Sequence, residues 1–198
     1  MFHIELVRGG EVFIDGIDIA TVDIHHLRSK LCIIPQDPVM FVGNVRYNLD
    51  PFNTFKDEEI WDVLEKTRMK HDVEQLPHKL LEPVAEGGSN FSVGQRQLIC
   101  FARALLKKPK ILVLDEATAS VDNDTDAHVQ HMIRDLFKDC TVLTIAHRLN
   151  TIVDSDRIMV LGQGKVVEFD SPKALLDNPE SHFAKMWSDF KKEHESTA

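Results

Sequence analysis

Two adjacent carboxylates, Asp115 and Glu116, close a run of four apolar residues, 111–114. That run is too short for a buried helix and has the character of a strand covered on both faces of a parallel sheet. In open α/β sheets ligands gather at the carboxyl ends of the strands. Paired carboxylates at such an end suit metal binding and base chemistry, since one can hold a hard cation while the other orients or deprotonates water. The pair is also compatible with an Asp that caps the next helix beside a solvated Glu. The residues upstream favour the chemical reading. Ser92 and Gln95 have the spacing of a capping box at a helix N-terminus, and the amides and dipole of such a terminus attract an anion. Gly94 keeps that turn free of a β-carbon, so a large anion can approach. Two more polar residues stand just beyond apolar runs, Gln36 after residues 31–34 and His147 after residues 141–145. A glutamine at a strand end is usually a loop residue, yet its amide oxygen is a suitable ligand or water-holder for a divalent cation.

The elements that must position these groups alternate as in a parallel α/β domain. Leu98, Ala102 and Leu105, with Ile99 and Leu106 beside them, give one apolar helix face that starts at Ser92 and stops at Lys107, Lys108 and Pro109. The two lysines read as a complement to that helix's own C-terminal dipole. Upstream, residues 11–14 predict a short strand turned by Asp15-Gly16, and Asp23 a cap for a short helix through Leu27. From 37 to 88 strand signals disappear and short helices take over: one at 45–49, one capped by Asp57 and carrying Ile60, Trp61 and Leu64, and one at 70–76. Downstream, Val129, Met132, Ile133 and Leu136 share a helix face. Gly162-Gln163-Gly164 turns a hairpin, Ser171-Pro172 opens a helix, and a closing helix through Trp187 and Phe190 frays into the tail 191–198. This organisation predicts a truncated N-terminal part of a core at 1–36, a mostly helical insertion at 37–88, the rest of the core at 89–190 and the tail. Residues 1–10 read as the end of a helix with no start signal, so the chain is expected to be a fragment or to lack its front.

Composition narrows the possibilities. The formal net charge of -9 argues against broad nucleic-acid binding, which needs basic surface. One nucleotide can still be held locally by backbone amides and a cation. Cys32, Cys100 and Cys140 lie singly in apolar runs without metal-clip spacing and read as buried free thiols of a reducing compartment. No run reaches the roughly 18 apolar residues of a membrane span, and the first residues lack the pattern of a signal peptide. His128 and His131, three apart on a helix, read as a solvated polar face rather than a metal site.

With these residues in hand, the chain resembles the nucleotide-binding domain of ATP-binding cassette (ABC) transporters over essentially its whole length. Phe91-Ser92-Val93-Gly94-Gln95 is similar to the signature motif, with Phe91 where Leu is common. Residues 111–115 resemble Walker B, Glu116 the catalytic glutamate, residues 119–122 the D-loop, His147 the switch histidine and Gln36 the Q-loop glutamine. The wording of residues 33–52 and 91–106 is similar to the C subfamily, the multidrug-resistance-protein group, and within it to the second nucleotide-binding domain. No G-x-x-x-x-G-K-[ST] occurs among the 198 residues, so the phosphate-cradling loop of the family is absent from this stretch.

The resemblance implies a P-loop NTPase-like, mostly parallel α/β core flanked by helices, with an inserted helical subdomain and without its first strand and Walker A loop. It implies ATP and Mg²⁺ as cofactors. Asp115 and Gln36 would serve the metal, partly through water, Glu116 and His147 catalysis, and Ser92, Val93, Gly94, Gln95, Gln36 and Asp122 the nucleotide. As partners it implies a second nucleotide-binding domain in a head-to-tail dimer, and transmembrane-domain helices docked on residues 36–45 and the helical subdomain. It places the domain at the cytoplasmic face of a membrane and leaves the transported substrate open. Lacking Walker A, the chain alone is expected to be inactive. Two other readings are a regulatory nucleotide-sensing domain of a channel or channel regulator in the same subfamily, and a soluble DNA-maintenance cassette ATPase. The second conflicts with the compact, heptad-free stretch between Gln36 and Ser92.

Overall fold

The computed structural model describes residues 9–116, 123–146 and 149–195, with the backbone alone for 123–128 and 193–195. The expected helix tail at 1–7 therefore lies outside the described residues. Two compact units divide the chain, residues 1–145 and 146–198.

The first unit opens with a hairpin of β1 (Phe13–Ile14) and β2 (Ile17–Asp18). Asp15 and Gly16 both have positive φ, 50° and 77°, the two-residue turn whose twist matches paired strands. Asp23 caps α1 (Ile24–Lys30) by accepting from the His26 amide at 2.9 Å. The helix runs three residues beyond the expected Leu27. Next come β3 (Leu31–Ile34), β4 (Gly43–Asn44), α2 (Val45–Leu49), α3 (Asp57–Lys66), α4 (Lys70–Gln75), β5 (Pro83–Val84), α5 (Val93–Lys107), β6 (Ile111–Asp115), α6 (Asn123–Leu136) and β7 (Thr141–Ile145).

Strands β3, β6 and β7 form a parallel sheet in the order β3-β6-β7, with Ile34 level with Leu114 and Asp115 level with Ile145. One face, with Cys32, Ile34, Leu112, Leu114 and Val142, packs on Cys100, Phe101 and Ala104 of α5 and on Val129, Met132 and Ile133 of α6. The other face is buried at its start, where Leu31 and Ile111 pack with Ile19 and Leu27, and falls short of the expected two-sided burial only farther on. Ile33, Leu143 and Ile145 are 44%, 42% and 54% exposed there.

Helix α5 also departs from expectation. Its periodicity reads as one apolar face through Leu98, Ala102 and Leu105. In the fold, Leu98 and Leu105 are only partly buried and touch two separate cores. Toward the sheet it presents Cys100, Phe101 and Ala104. Toward the helical region it presents Ile99, Ala102 and Leu106, packed with Val45, Leu49, Ile60, Leu64, Val73 and Val84. A helix wedged between two cores is dry on two sides, and a single-stripe reading misplaces its boundary.

Within the helical region strands do not vanish, because β4 and β5 pair antiparallel. Asp57 is the first residue of α3 rather than its cap. Lys56 holds the cap position, with its amide bonded to Glu59 Oε2 at 3.0 Å. Asp57 instead accepts from Arg46 Nε at 2.8 Å. Lys107 lies in the last turn of α5, as expected, and also serves a second helix end. Its ammonium donates to the carbonyls of Arg28 and Leu31, at 3.0 and 2.7 Å, and so closes the C-terminus of α1. Cys100 is buried while Cys32 and Cys140 are only partly so. Burial pushes all three thiols up from their ordinary pKa.

The second unit holds α7 (Leu149–Ile152), β8 (Ile158–Gly162), β9 (Lys165–Asp170), α8 (Pro172–Leu176) and α9 (His182–Glu195) around Ile158, Leu175 and Phe183. The hairpin turns at Gln163 and Gly164, with φ of 49° and 74°. Ser171 caps α8 ahead of Pro172 as expected. Helix α9 continues to Glu195 rather than fraying after Phe190, with Phe183, Trp187 and Phe190 stacked in succession.

Glu168 of β9 caps α9 from a distance. Its carboxylate accepts from the amides of His182 at 2.6 Å and Phe183 at 3.1 Å, and from Ser181 Oγ at 3.0 Å. Partial desolvation opposes ionisation, but these donors outweigh it and hold the carboxyl below its ordinary value. A depressed folded pKa gives stability that is present above the unfolded glutamate value of about 4.3 and lost as pH falls through the folded one. In a Trp61→Phe background, Trp187 fluorescence is expected to change in that acid window. Glu168→Gln should remove this step, and an unaltered acid profile would contradict the cap.

Candidate functional site

Parallel register brings the chemical residues to one edge of the sheet. Ile34, Leu114 and Ile145 end or nearly end their strands there, so the residues that follow, Gln36, Asp115 and Glu116, emerge together. Gln36 Nε2 donates to Glu116 Oε2 at 2.8 Å, across 80 residues of sequence. Glu116 leaves the strand at φ 46°, a left-handed conformation uncommon for a residue with a β-carbon. Its amide donates to the Ile145 carbonyl at 3.0 Å, which extends the β6–β7 ladder by one bond. Asp115, the last strand residue, is half-buried.

The donor set at this edge consists of carboxylate and amide oxygens, the hard ligands a divalent cation such as Mg²⁺ prefers. Asp115 and Gln36 can hold such an ion. Glu116, with one oxygen engaged by Gln36, can accept a proton from water. His147 and Asp122, with Ala119, Ser120 and Val121, lie outside the described residues.

The second group is the start of α5. Ser92 is the N-cap, and the capping box inferred from spacing is complete: the Gln95 amide donates to Ser92 Oγ at 3.1 Å and the Ser92 amide to Gln95 Oε1 at 3.0 Å. Val93 and Gly94 are the first two helical residues, so Gly94 sits inside the first turn rather than in the loop before it. Ser92 and Val93 are exposed and Gly94 is half-buried, which leaves the terminus of a 15-residue helix open to an anion. Phe91, in place of the commoner Leu, is 7% exposed and packs into the helical-region core, so the larger apolar shape is accommodated. Gln95 Nε2 also donates to Asp72 Oδ2 of α4 at 2.9 Å. Asp72 escapes sequence reasoning, because 23 residues separate it from Gln95 and no local pattern joins them.

A third cluster was also invisible in the sequence. Arg103 of α5, half-buried, donates to the carbonyls of Val39 (2.6 Å) and Asn48, and to Asn48 Oδ1 (2.7 Å). Val39, Phe41 and Val42, which follow Gln36, are 49%, 57% and 69% exposed. Among the described residues, no three His, Cys, Asp or Glu side chains cluster as a metal site. His131 instead pairs with Asp135 at 2.8 Å on the exposed face of α6. No helix of the described residues is long and apolar enough to cross a membrane.

Residues 2–119 match the ABC transporter family. ATP-binding cassette sub-family C member 2 of Mus musculus is 58% identical over 178 residues, which cover 90% of this chain and 12% of that protein. Multidrug resistance protein mrp-7 of Caenorhabditis elegans is 53% identical over 96% of this chain and 12% of its own length. ABC transporter C family MRP4 of Zea mays is 52% identical over 96% of this chain and 13% of its own. The chain thus spans only 12–13% of the length of these relatives. Among solved structures, a bacterial Atm1-family ABC exporter with ATP bound superposes with a TM-score of 0.88 at 34% identity, over 96% of this chain and 34% of that one. Fold, edge geometry and these likenesses agree, and the chain belongs to the ABC transporter family as a nucleotide-binding domain of its C subfamily.

Proposed function

We propose that this domain binds and hydrolyses ATP to power transport by a C-subfamily ABC transporter, and that among such domains it is most like the second of the pair. The observation that carries this reading is the Gln36–Glu116 hydrogen bond at the carboxyl edge of the sheet, which joins a cation-holding amide to a carboxylate suited to base catalysis. Bound Mg²⁺ neutralises charge on the phosphates of ATP. Asp115 and Gln36 would hold it, largely through water. Glu116 orients the attacking water or takes its proton, and His147 helps to fix the γ-phosphate. Ser92, Val93, Gly94 and Gln95 would bind, through the α5 terminus, a γ-phosphate cradled by a second nucleotide-binding domain arranged head to tail. Asp122 would connect the two halves.

The domain works at the cytoplasmic face of a membrane, and residues 36–45, with the helical region 37–88 as a subdomain, dock cytoplasmic helices of the transmembrane part. The exposed apolar residues Val39, Phe41 and Val42 support that docking surface. Phosphate release from the intact membrane protein is expected to require a divalent cation and to stop on chelation. ATP hydrolysis that persists in excess chelator would refute the site. Residues 1–198 contain no phosphate-cradling loop. As an isolated polypeptide they should bind ATP only weakly, with Kd above about 1 mM by calorimetry, equivalent to less than about 4 kcal/mol of binding. A stoichiometric complex at micromolar ATP would overturn that expectation.

A further inference from the structure

Residues 39–42 carry no helix or strand of their own, yet their backbone is held at several points. Asn48, 2% exposed, uses its whole amide there. Its Oδ1 accepts from the Phe41 amide at 2.8 Å, and its Nδ2 donates to the carbonyls of Phe41 at 2.8 Å and Asn44 at 3.0 Å. One side chain thereby satisfies both backbone groups of Phe41, as a neighbouring strand would. The Arg103 guanidinium closes the cluster from α5. It donates to the Val39 carbonyl, the Asn48 carbonyl and Asn48 Oδ1, contacts Met40 Sδ at 3.4 Å, and lies 5.8 Å from the centroid of the Phe41 ring. Met40 turns inward, 5% exposed, while Val39, Phe41 and Val42 face out. Arg103 is eight residues after Gln95 on the same helix, about 12 Å along a rigid rod.

We propose that Arg103 is a positioning residue that fastens the apolar strip 39–42 to α5, so that a helix docked on the strip moves the Ser92–Gln95 terminus with it. The proposal rests on the docking surface named above for its partner, but not for the clamp itself. Arginine suits the task because its planar fork reaches several acceptors in fixed directions. Lysine presents one compact charge and can keep only part of the set.

Hydrogen exchange on the 198-residue chain tests the clamp, with Arg103→Met as an apolar variant of similar length and Arg103→Lys as the conservative one. Arg103→Met should speed exchange at residues 39–42 by at least on the order of tenfold, the expected loss from charged hydrogen bonds. The sheet amides of 111–114 should stay unchanged, and Arg103→Lys should fall between. Unchanged exchange at 39–42 overturns the clamp, and so does an equal rise in 111–114, which would make Arg103 a general stabiliser. Phosphate release by the intact membrane protein tests the relay. Arg103→Met should lower kcat about tenfold with the KM for ATP held within about twofold, and Phe41→Ser should do the same. Loss of protection at 39–42 without a fall in kcat overturns the relay. An unaffected Phe41→Ser protein overturns the docking surface while leaving the clamp to the exchange result.

Discussion

Glu116→Gln is expected to reduce phosphate release from the intact protein by about 10²–10⁴-fold, the usual contribution of a positioned general base, while ATP affinity changes little. The geometry sets this split. Glu116 lies at the sheet edge with one carboxylate oxygen on Gln36 Nε2, and a glutamine of the same size preserves the shape and one acceptor oxygen. The charge that draws a proton from water is lost. On the proposed reading the binding energy of the nucleotide beside Glu116 comes chiefly from a phosphate-cradling loop, which residues 1–198 do not contain. Equilibrium binding of labelled ATP beside single-turnover hydrolysis separates the two quantities. Undiminished phosphate release in the variant would remove Glu116 from the reaction.

The second large effect is on stability. Phe101 is fully buried, 0% exposed, on the side of α5 that packs against Leu112, Leu114 and Val129. Truncation to alanine removes most of a ring from a site bounded by a sheet and a second helix, which cannot close over the cavity. Phe101→Ala should therefore cost about 3–5 kcal/mol. For a chain of this size that corresponds to a fall in Tm of roughly 6–20 °C. Val93→Ala, at an exposed position of the same helix, should stay within about 0.5 kcal/mol. Calorimetric or circular-dichroism melts of the three proteins decide the matter. A Phe101→Ala chain that melts with the wild type would contradict the two-core placement of α5.

What could be read from the sequence was what a few neighbouring residues decide among themselves. The Ser92–Gln95 box, the Ser171-Pro172 helix start, the Asp15-Gly16 turn and the strands at 31–34, 111–115 and 141–145 each depend on hydrogen bonds or burial patterns spanning a handful of positions. Gln36, Asp115 and Glu116 could be gathered at one edge because parallel strands put all their carboxyl ends together. Arg103 gave no such signal, since its partners Val39 and Asn48 lie 64 and 55 residues away. Asp72 and Lys107 were obscure for the same reason. The face of α5 was misjudged because periodicity assumes one dry side, and strand β4 was missed because two residues cannot establish an alternation.

The backbone at Glu116 has a wider consequence. A left-handed φ on a residue other than glycine costs on the order of 1 kcal/mol, and it falls on the residue whose carboxylate is assigned the chemistry. Glycine or asparagine would fit that conformation more comfortably but would bring no carboxylate to the edge. On the proposed reading, backbone comfort and turnover therefore make opposite demands on this one position.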